Sequence, residues 1–317
     1  MHNLRRFINQ NRIQILIAVL FVAFIFMGIK FANNYYEEER IKRQEEISVV
    51  VNKTEEEVKQ EKSSYSVMTG EKVSTDKTAD ETTVINDFVK YCNMGDYENA
   101  YNMLSLDCKE VVFPKLEYFI NNYYKSMFKE QKSIDLQAWF KSNNGNTYKV
   151  TFIGDALSTG KLSDLQIEDY YTVVLENGVR KLNINSYIRR VKYNSDAELT
   201  DINIKPIYKD IFLDYEIYEL EVINNTSKII MLDTLSNSNS MYLTGTSSNA
   251  KYTAFSNEIS ANELKVNPSE TKTIRIKFNK LYNTNVTVNA MNFTDFVKDY
   301  ELYVQSNTKR ETLSIKI

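Results

Sequence analysis

Hydrophobic positions along the chain fall into four successive patterns. Residues 13–29 form an apolar run interrupted only by Gln14. Rising about 1.5 Å per residue, the run reaches roughly 25 Å, the short end of a bilayer span. Lys30 can snorkel, which lets Phe31 and Ala32 lengthen the apolar stretch. The apolar pattern then disappears. Residues 34–62 carry nine Glu and six Lys or Arg, with Glu38–Lys42, Glu39–Arg43 and Glu55–Lys59 spaced i,i+4 in the favourable order. That spacing predicts a solvated helix. Heptad registers through Gln44, Val51 and Val58, or through Ile47, Thr54 and Glu61, are too polar for a coiled coil. Residues 63–83 are rich in Ser, Thr, Lys and Glu and read as a flexible linker.

A helical period begins at Val84. Ile85, Phe88 and Cys92 share one face, and Gly95 stops the segment. Asp96 then fits as the cap of a second helix whose Tyr97, Ala100, Tyr101 and Leu104 form a stripe. Pro114 opens a third, with Leu116, Phe119, Ile120, Tyr123 and Met127 at i, i+3, i+4, i+7 spacing. After Gln131 the period falls to two: Tyr148, Val150 and Phe152 alternate with polar neighbours, as do Leu182 and Ile184. Asn144-Gly145 and Asn177-Gly178 are hairpin signals. Helices followed by about four antiparallel strands predict an α+β domain over residues 84–192.

From residue 198 to 317 the helical period is gone. Short alternating segments recur (ELTDINIKPIY, DYEIYELEVIN, KIIMLD, MYLTG, KYTAF, TKTIRIKF, NVTVN and YELYVQ), separated by Asn- and Ser-rich turns. This pattern predicts an all-β sandwich. The expected organisation is therefore a tail at 1–12, an anchor at 13–32, a stalk and linker at 33–83, and two folded domains.

Composition narrows the chemistry. The chain of 317 residues has one His, two Cys, one Trp and eight Gly, against 22 Tyr and 16 Phe. With its only His at position 2, ahead of the apolar run, the rest of the chain lacks imidazole for triads, metal sites or proton shuttles. Neither glycine-rich phosphate-binding motif occurs. A formal net charge of −3 gives no footprint for nucleic acid. Asp155, Asp164, Glu168 and Asp169, with Tyr170 and Tyr171, are the available polar groups of the first domain, and no spacing singles one out as catalytic. Trp139 reads as a packing residue. Asp201, Asp210 and Asp214 lack a calcium-loop spacing. No catalytic, cofactor or metal residue is therefore assigned. Cys92 and Cys108 read either as a disulfide of an exported domain or as two buried thiols.

Orientation rests on the flanks of the apolar run. Arg5, Arg6 and Arg12 precede it and Lys30, Arg40, Lys42 and Arg43 follow it, so the basic count alone does not orient the run. Glu37, Glu38 and Glu39 nevertheless make the first turns after it acidic, and a short basic N-terminus is typical of a signal anchor. The run lacks a small-residue cleavage site, since Lys30 stands two residues before Ala32. These features predict an uncleaved, single-pass signal anchor, with the N-terminus cytoplasmic and the folded domains extracytoplasmic.

The stretches VINDFVKYCNMGDYENAYNMLS and YYTVVLENGVRKLNINSYI resemble the NTF2-like (cystatin-like) superfamily. That resemblance implies a cone of helices on a curled sheet, either holding a ligand or filled. Joined to a single-pass anchor, such a domain is similar to VirB8-type proteins of type IV secretion and conjugation, including Gram-positive versions. The segments around NNTSK and LKVNPSETKTIRIKF resemble small immunoglobulin-like domains of exported Gram-positive proteins. Together they imply a non-catalytic, membrane-anchored scaffold. Its expected partners are the membrane and other membrane or envelope proteins, with self-association as a further option. The alternative is a surface receptor or adhesin binding a small ligand or cell-wall glycan.

Overall fold

The structure, a computed structural model, describes residues 75–142, 145–154, 166–194, 201–245, 250–306 and 310–317. The expected anchor at 13–32, its flanking Arg5, Arg6, Arg12 and Lys30, and the stalk lie outside these residues. Among the described residues no helix is long and apolar enough to cross a membrane. The fold is β-rich with few helices, and it holds two main cores.

Among the described residues, five helical segments precede the strands. They are α1 (Thr75–Asn93), α2 (Tyr97–Asn102), α3 (Leu106–Val111), α4 (Leu116–Phe119) and, beyond a π-helical turn at Ile120–Tyr124, α5 (Lys125–Met127). The sequence period starts α1 at Val84, yet the helix begins at Thr75, inside the stretch read as linker. Tertiary contacts hold this polar turn. Glu81, 8% exposed, accepts Asn146 Nδ2 on both oxygens (3.2 and 2.9 Å) and Tyr148 OH at 2.6 Å. Asp80 reaches Arg180 at 3.1 Å. Gly95 takes φ +70° just past the end of α1, where a left-handed residue stops a helix. Ser105 caps α3 through the Cys108 amide (3.0 Å), a segment the hydrophobic period does not reveal. The predicted third-helix stripe faces inward: Phe119 and Tyr123 are buried, and Leu116, Ile120 and Met127 pack against the same core.

A four-stranded antiparallel sheet follows, in the order β1 (Lys132–Ser142), β2 (Gly145–Gly154), β3 (Gln166–Glu176) and β4 (Val179–Asn183). Asn177 (φ +50°) and Gly178 (φ +79°) turn β3 into β4, as their dipeptide predicts. Tyr148, Val150, Phe152, Tyr171, Val173 and Leu182 point from this sheet onto Ile85, Phe88 and Phe119 of the helices. Ring contacts knit the layers, including Phe88–Tyr171 and Phe128–Phe152, both at 5.6 Å, and Phe113–Phe119 at 5.6 Å ties the helical side to itself, all edge-on.

The second region packs two sheets face to face. One has the order β12 (Thr271–Phe278), β7 (Glu216–Asn224), β6 (Ile202–Phe212) and β5 (Tyr187–Lys192). The other has the order β10 (Lys251–Thr253), β9 (Met241–Gly245), β13 (Val288–Phe296) and β14 (Glu311–Lys316). A two-stranded ladder joins β8 (Ile230–Met231) to β11 (Lys265–Val266), which follows the short α6 (Ala261–Leu264). Strand alternation builds the core between the sheets: Tyr218, Leu220, Val222, Ile274, Ile276 and Phe278 from one side meet Leu243, Met291 and Phe293 from the other. The layers are those of a β-sandwich.

Two elements differ from the sequence pattern. YELYVQ, read as a strand, is the helix α7 (Tyr300–Ser306). The Asp299 carboxylate accepts the Leu302 amide at 3.0 Å and pairs with Lys228 at 2.9 Å, so its first turn is anchored. Its aromatic spacing is also three, and Tyr300 and Tyr303 stack at 6.4 Å. The second difference concerns β5. This strand closes the first domain in the sequence reading, but pairs with β6 from Tyr187↔Phe212 to Lys192↔Tyr208. The two regions therefore share a seam where Phe140, Ile188 and Ile211 are buried together and Phe140 stacks on Tyr282 at 4.5 Å.

Candidate functional site

The polar residues of the first region separate once placed. Asp155 and Asp164 lie outside the described residues. Glu168 is at the surface and pairs with Lys149 at 2.7 Å. Tyr170 packs its ring on Trp139 at 5.3 Å, a packing role for both. Asp169 and Tyr171 point inward. Asp169 Oδ2 accepts Tyr123 OH (2.8 Å) and the Asn185 amide (3.0 Å), and Oδ1 accepts the Tyr170 and Ser186 amides (2.7 and 2.9 Å). Tyr171 OH meets Tyr123 OH at 2.6 Å. Burial pushes the Asp169 carboxyl above its usual range, and these bonds pull it back only part of the way. Asn185 and Ser186 both have positive φ (+59° and +58°), so the carboxylate pins a strained turn between β4 and β5. Every bond fastens structure to structure, and the surrounding interior is filled by fully buried rings such as Phe88, Phe119, Phe152 and Tyr148.

Of the two states open from the sequence, the structure holds Cys92 and Cys108 as separate buried thiols rather than as a disulfide. Burial raises the Cys92 thiol well above its ordinary value and pushes Cys108 up to about 12. Both should therefore resist a thiol reagent in the native protein at neutral pH and react together after unfolding without reductant. A native-state reaction at either thiol, or no free thiol after unfolding, would contradict this placement.

Among the described residues, no group of three or more His, Cys, Asp or Glu is placed to hold a metal. Asp201 and Asp214 are at the surface. Asp210 is 1% exposed and gripped by Arg190. Asp233 is fully buried, and its Oδ1 accepts the Leu235 amide and Ser240 Oγ, both at 2.8 Å. These four aspartates do not converge on a shared site.

The groups that do converge line a crevice of about 430 Å³ along the seam. Its apolar wall comes from Val111 and Val112 at the end of α3, with Asn185 at its edge. Its floor comes from the β6–β7 hairpin, where Phe212 and Tyr215 stack at 4.4 Å. Arg275 and Lys277 reach in from β12, because the alternation that buries Ile274 and Ile276 turns them to the opposite face. The segment 255–263 forms the remaining side and is fixed by the Phe255 amide on the Lys277 carbonyl (2.9 Å) and by a Ser260–Glu263 capping box. Lys277 Nζ lies over Tyr215 at 4.2 Å and Phe255 at 4.7 Å and bonds both Glu258 oxygens at 3.1 Å. Burial first, then Glu258 and Asp214, push the Tyr215 hydroxyl up to about 12, so it stays protonated at neutral pH.

An aromatic floor, an aliphatic wall and fixed charges at the rim suit recognition of a ligand carrying both apolar and charged groups. Sequence reasoning missed this site. The polar face of TKTIRIKF and the aromatics bracketing the turn in FLDY were visible, but nothing local said they would meet Val111 and Asn185. No family model, curated protein or solved structure matches the chain at a significant level.

Proposed function

We propose that this chain is a non-catalytic, membrane-anchored extracytoplasmic scaffold that binds protein partners. In the sharpest form of this reading it is a VirB8-like component of a Gram-positive conjugation or type IV secretion apparatus. Its first region is then an NTF2-like module and its second an immunoglobulin-like sandwich. The observation that carries the reading is the filled interior of the first region. Tyr148, Tyr171, Phe88, Phe119 and Phe152 are all below 2% exposed, so the interior between helices and sheet is packed with rings, which supports a filled module over a ligand-holding one. Large apolar side chains instead reach the surface: Leu106, Leu175 and Val179 are 63, 70 and 57% exposed. Leu106 and the β3–β4 hairpin lie together, since the Leu106 amide donates to Glu176 at 3.1 Å. Large exposed apolar side chains near one end of a region are groups that a protein partner would cover. The anchor and orientation rest on the apolar run at 13–29 and its flanking charges.

The test is photo-crosslinking of the full-length chain in intact cells, with the reactive group at Leu175. The expected result is a discrete product containing another membrane or envelope protein, or a second copy of this chain. A chain that stays uncrosslinked at every surface position tried would end the scaffold reading. Protection of residues 63–83 from external protease would overturn the orientation.

A further inference from the structure

We infer that the seam crevice seats a segment of a partner polypeptide in which a carboxylate lies next to an aromatic or branched aliphatic side chain. The inference rests on the scaffold reading and names the chemistry of its partner. The argument is one of charge still available. Of the two acids at the rim, Glu258 is held by Lys277 at 3.1 Å through both oxygens. Glu263 is held by the Ser260 amide and hydroxyl, both at 2.7 Å. Lys277 is engaged in turn by Glu258 and the two rings beneath it. Arg275 is different. Its guanidinium approaches Asp210 only at 3.5 Å and Glu219 only at 3.7 Å, and its side chain is 49% exposed. Charge-assisted bonds run about 2.7–2.9 Å, so both contacts are loose. Asp210 does not depend on them, because Arg190 already grips both its oxygens at 2.7 and 3.1 Å. A planar fork of N–H donors therefore stands at the rim with its best acceptor still to come.

Beside that fork lie the stacked Phe212 and Tyr215 and the partly buried Ile259, surfaces suited to an aromatic or branched side chain. An incoming carboxylate on Arg275 would place the neighbouring side chain over this floor. A crevice of about 430 Å³ is within the size range of specific binding pockets. An Arg beside aromatic rings in a pocket is the kind of residue set in which binding hot spots are enriched.

The test uses the full-length chain in detergent and four fluorescein-labelled hexapeptides. Their central pairs are Glu-Phe, Gln-Phe, Glu-Ser and Lys-Phe, and binding is read by fluorescence anisotropy. The Glu-Phe peptide should saturate the protein, with the other three at least about tenfold weaker. Arg275→Gln should remove the preference for Glu-Phe over Gln-Phe. Ile259→Ser, a milder change at a partly exposed position, should weaken both Phe peptides with acid or amide neighbours alike. Equal binding of Glu-Phe and Gln-Phe, no saturable binding, or an unaltered preference in Arg275→Gln would overturn the inference. So would displacement of the peptide by soluble cell-wall glycan, which assigns the crevice to a sugar. Crosslinking separates the two claims. Products from Leu175 without peptide binding leave the scaffold reading standing and end this one. Peptide binding without any partner in cells leaves the crevice and ends the scaffold.

Discussion

Replacing Arg190 with Ala should cost about 3–5 kcal/mol of folding stability, the range for stripping one partner from a buried ion pair. Arg190 donates from Nε and Nη2 to both oxygens of Asp210 and from Nη1 to Glu110 at 2.6 Å, while its guanidinium lies 4.5 Å over the Tyr208 ring. Its side chain is 10% exposed, and that of Asp210 is 1% exposed. Glu110 belongs to α3 and Asp210 to β6, so one cation fastens the helical region to the sandwich sheet. In the variant, Asp210 keeps only the Arg275 contact at 3.5 Å and remains a buried charge.

The magnitude comes from that stranded charge rather than from the attraction itself, and a second variant separates the two. Arg190→Met with Asp210→Leu removes both charges and keeps apolar volume, so it should recover most of the lost stability. Denaturant unfolding of the full-length chain in detergent measures both. A single-variant loss under about 1 kcal/mol, or a double variant as unstable as the single, would show that this pair does not hold the seam.

The seam also marks where local sequence signals stop. Strands such as β7 and β12 are legible because their alternation is a property of the residues themselves, with Ile274, Ile276 and Phe278 turned to one face. The Asn177-Gly178 hairpin is legible for the same reason, since few other residues accept two successive positive φ values. The first turns of α1 are not. Nothing in TDKTADE favours a core, and only Asn146, Tyr148 and Arg180, more than sixty residues away, supply the groups that hold Glu81 and Asp80. YELYVQ misleads because a six-residue stretch is short for separating a period of two from one of three, and Asp299 and Lys228 decide the outcome. The pairing of β5 with β6 is a matter of topology, where Tyr187 is equally apolar in either sheet. Arg275 and Lys277 could be placed on a polar face from sequence, but their crevice draws on five chain segments that meet only in the folded protein.

Asp169→Ala should cost about 3 kcal/mol or more, since it leaves the Tyr170, Asn185 and Ser186 amides without their acceptor and the Tyr123 hydroxyl with only Tyr171 OH. The β4–β5 turn would lose its anchor while two residues remain at positive φ. Asp169→Asn is the more informative variant because it keeps shape and removes titration. Burial raises the Asp169 carboxyl above its ordinary 3.8 despite the bonds it accepts. For an acid the sign follows directly: the folded state binds its proton more tightly than the unfolded chain. This group's contribution is therefore full below the unfolded value and falls as pH rises through the interval between 3.8 and the raised value. Asp169→Asn loses that dependence. The stability gap between wild type and Asp169→Asn should be largest at acid pH and should narrow as pH rises through that interval, then stay constant to neutrality. The comparison uses denaturant midpoints of the two full-length proteins over matched pH steps. A gap that widens with rising pH would mean that the hydrogen bonds outweigh burial and that the carboxylate, not the acid, is the form the interior prefers.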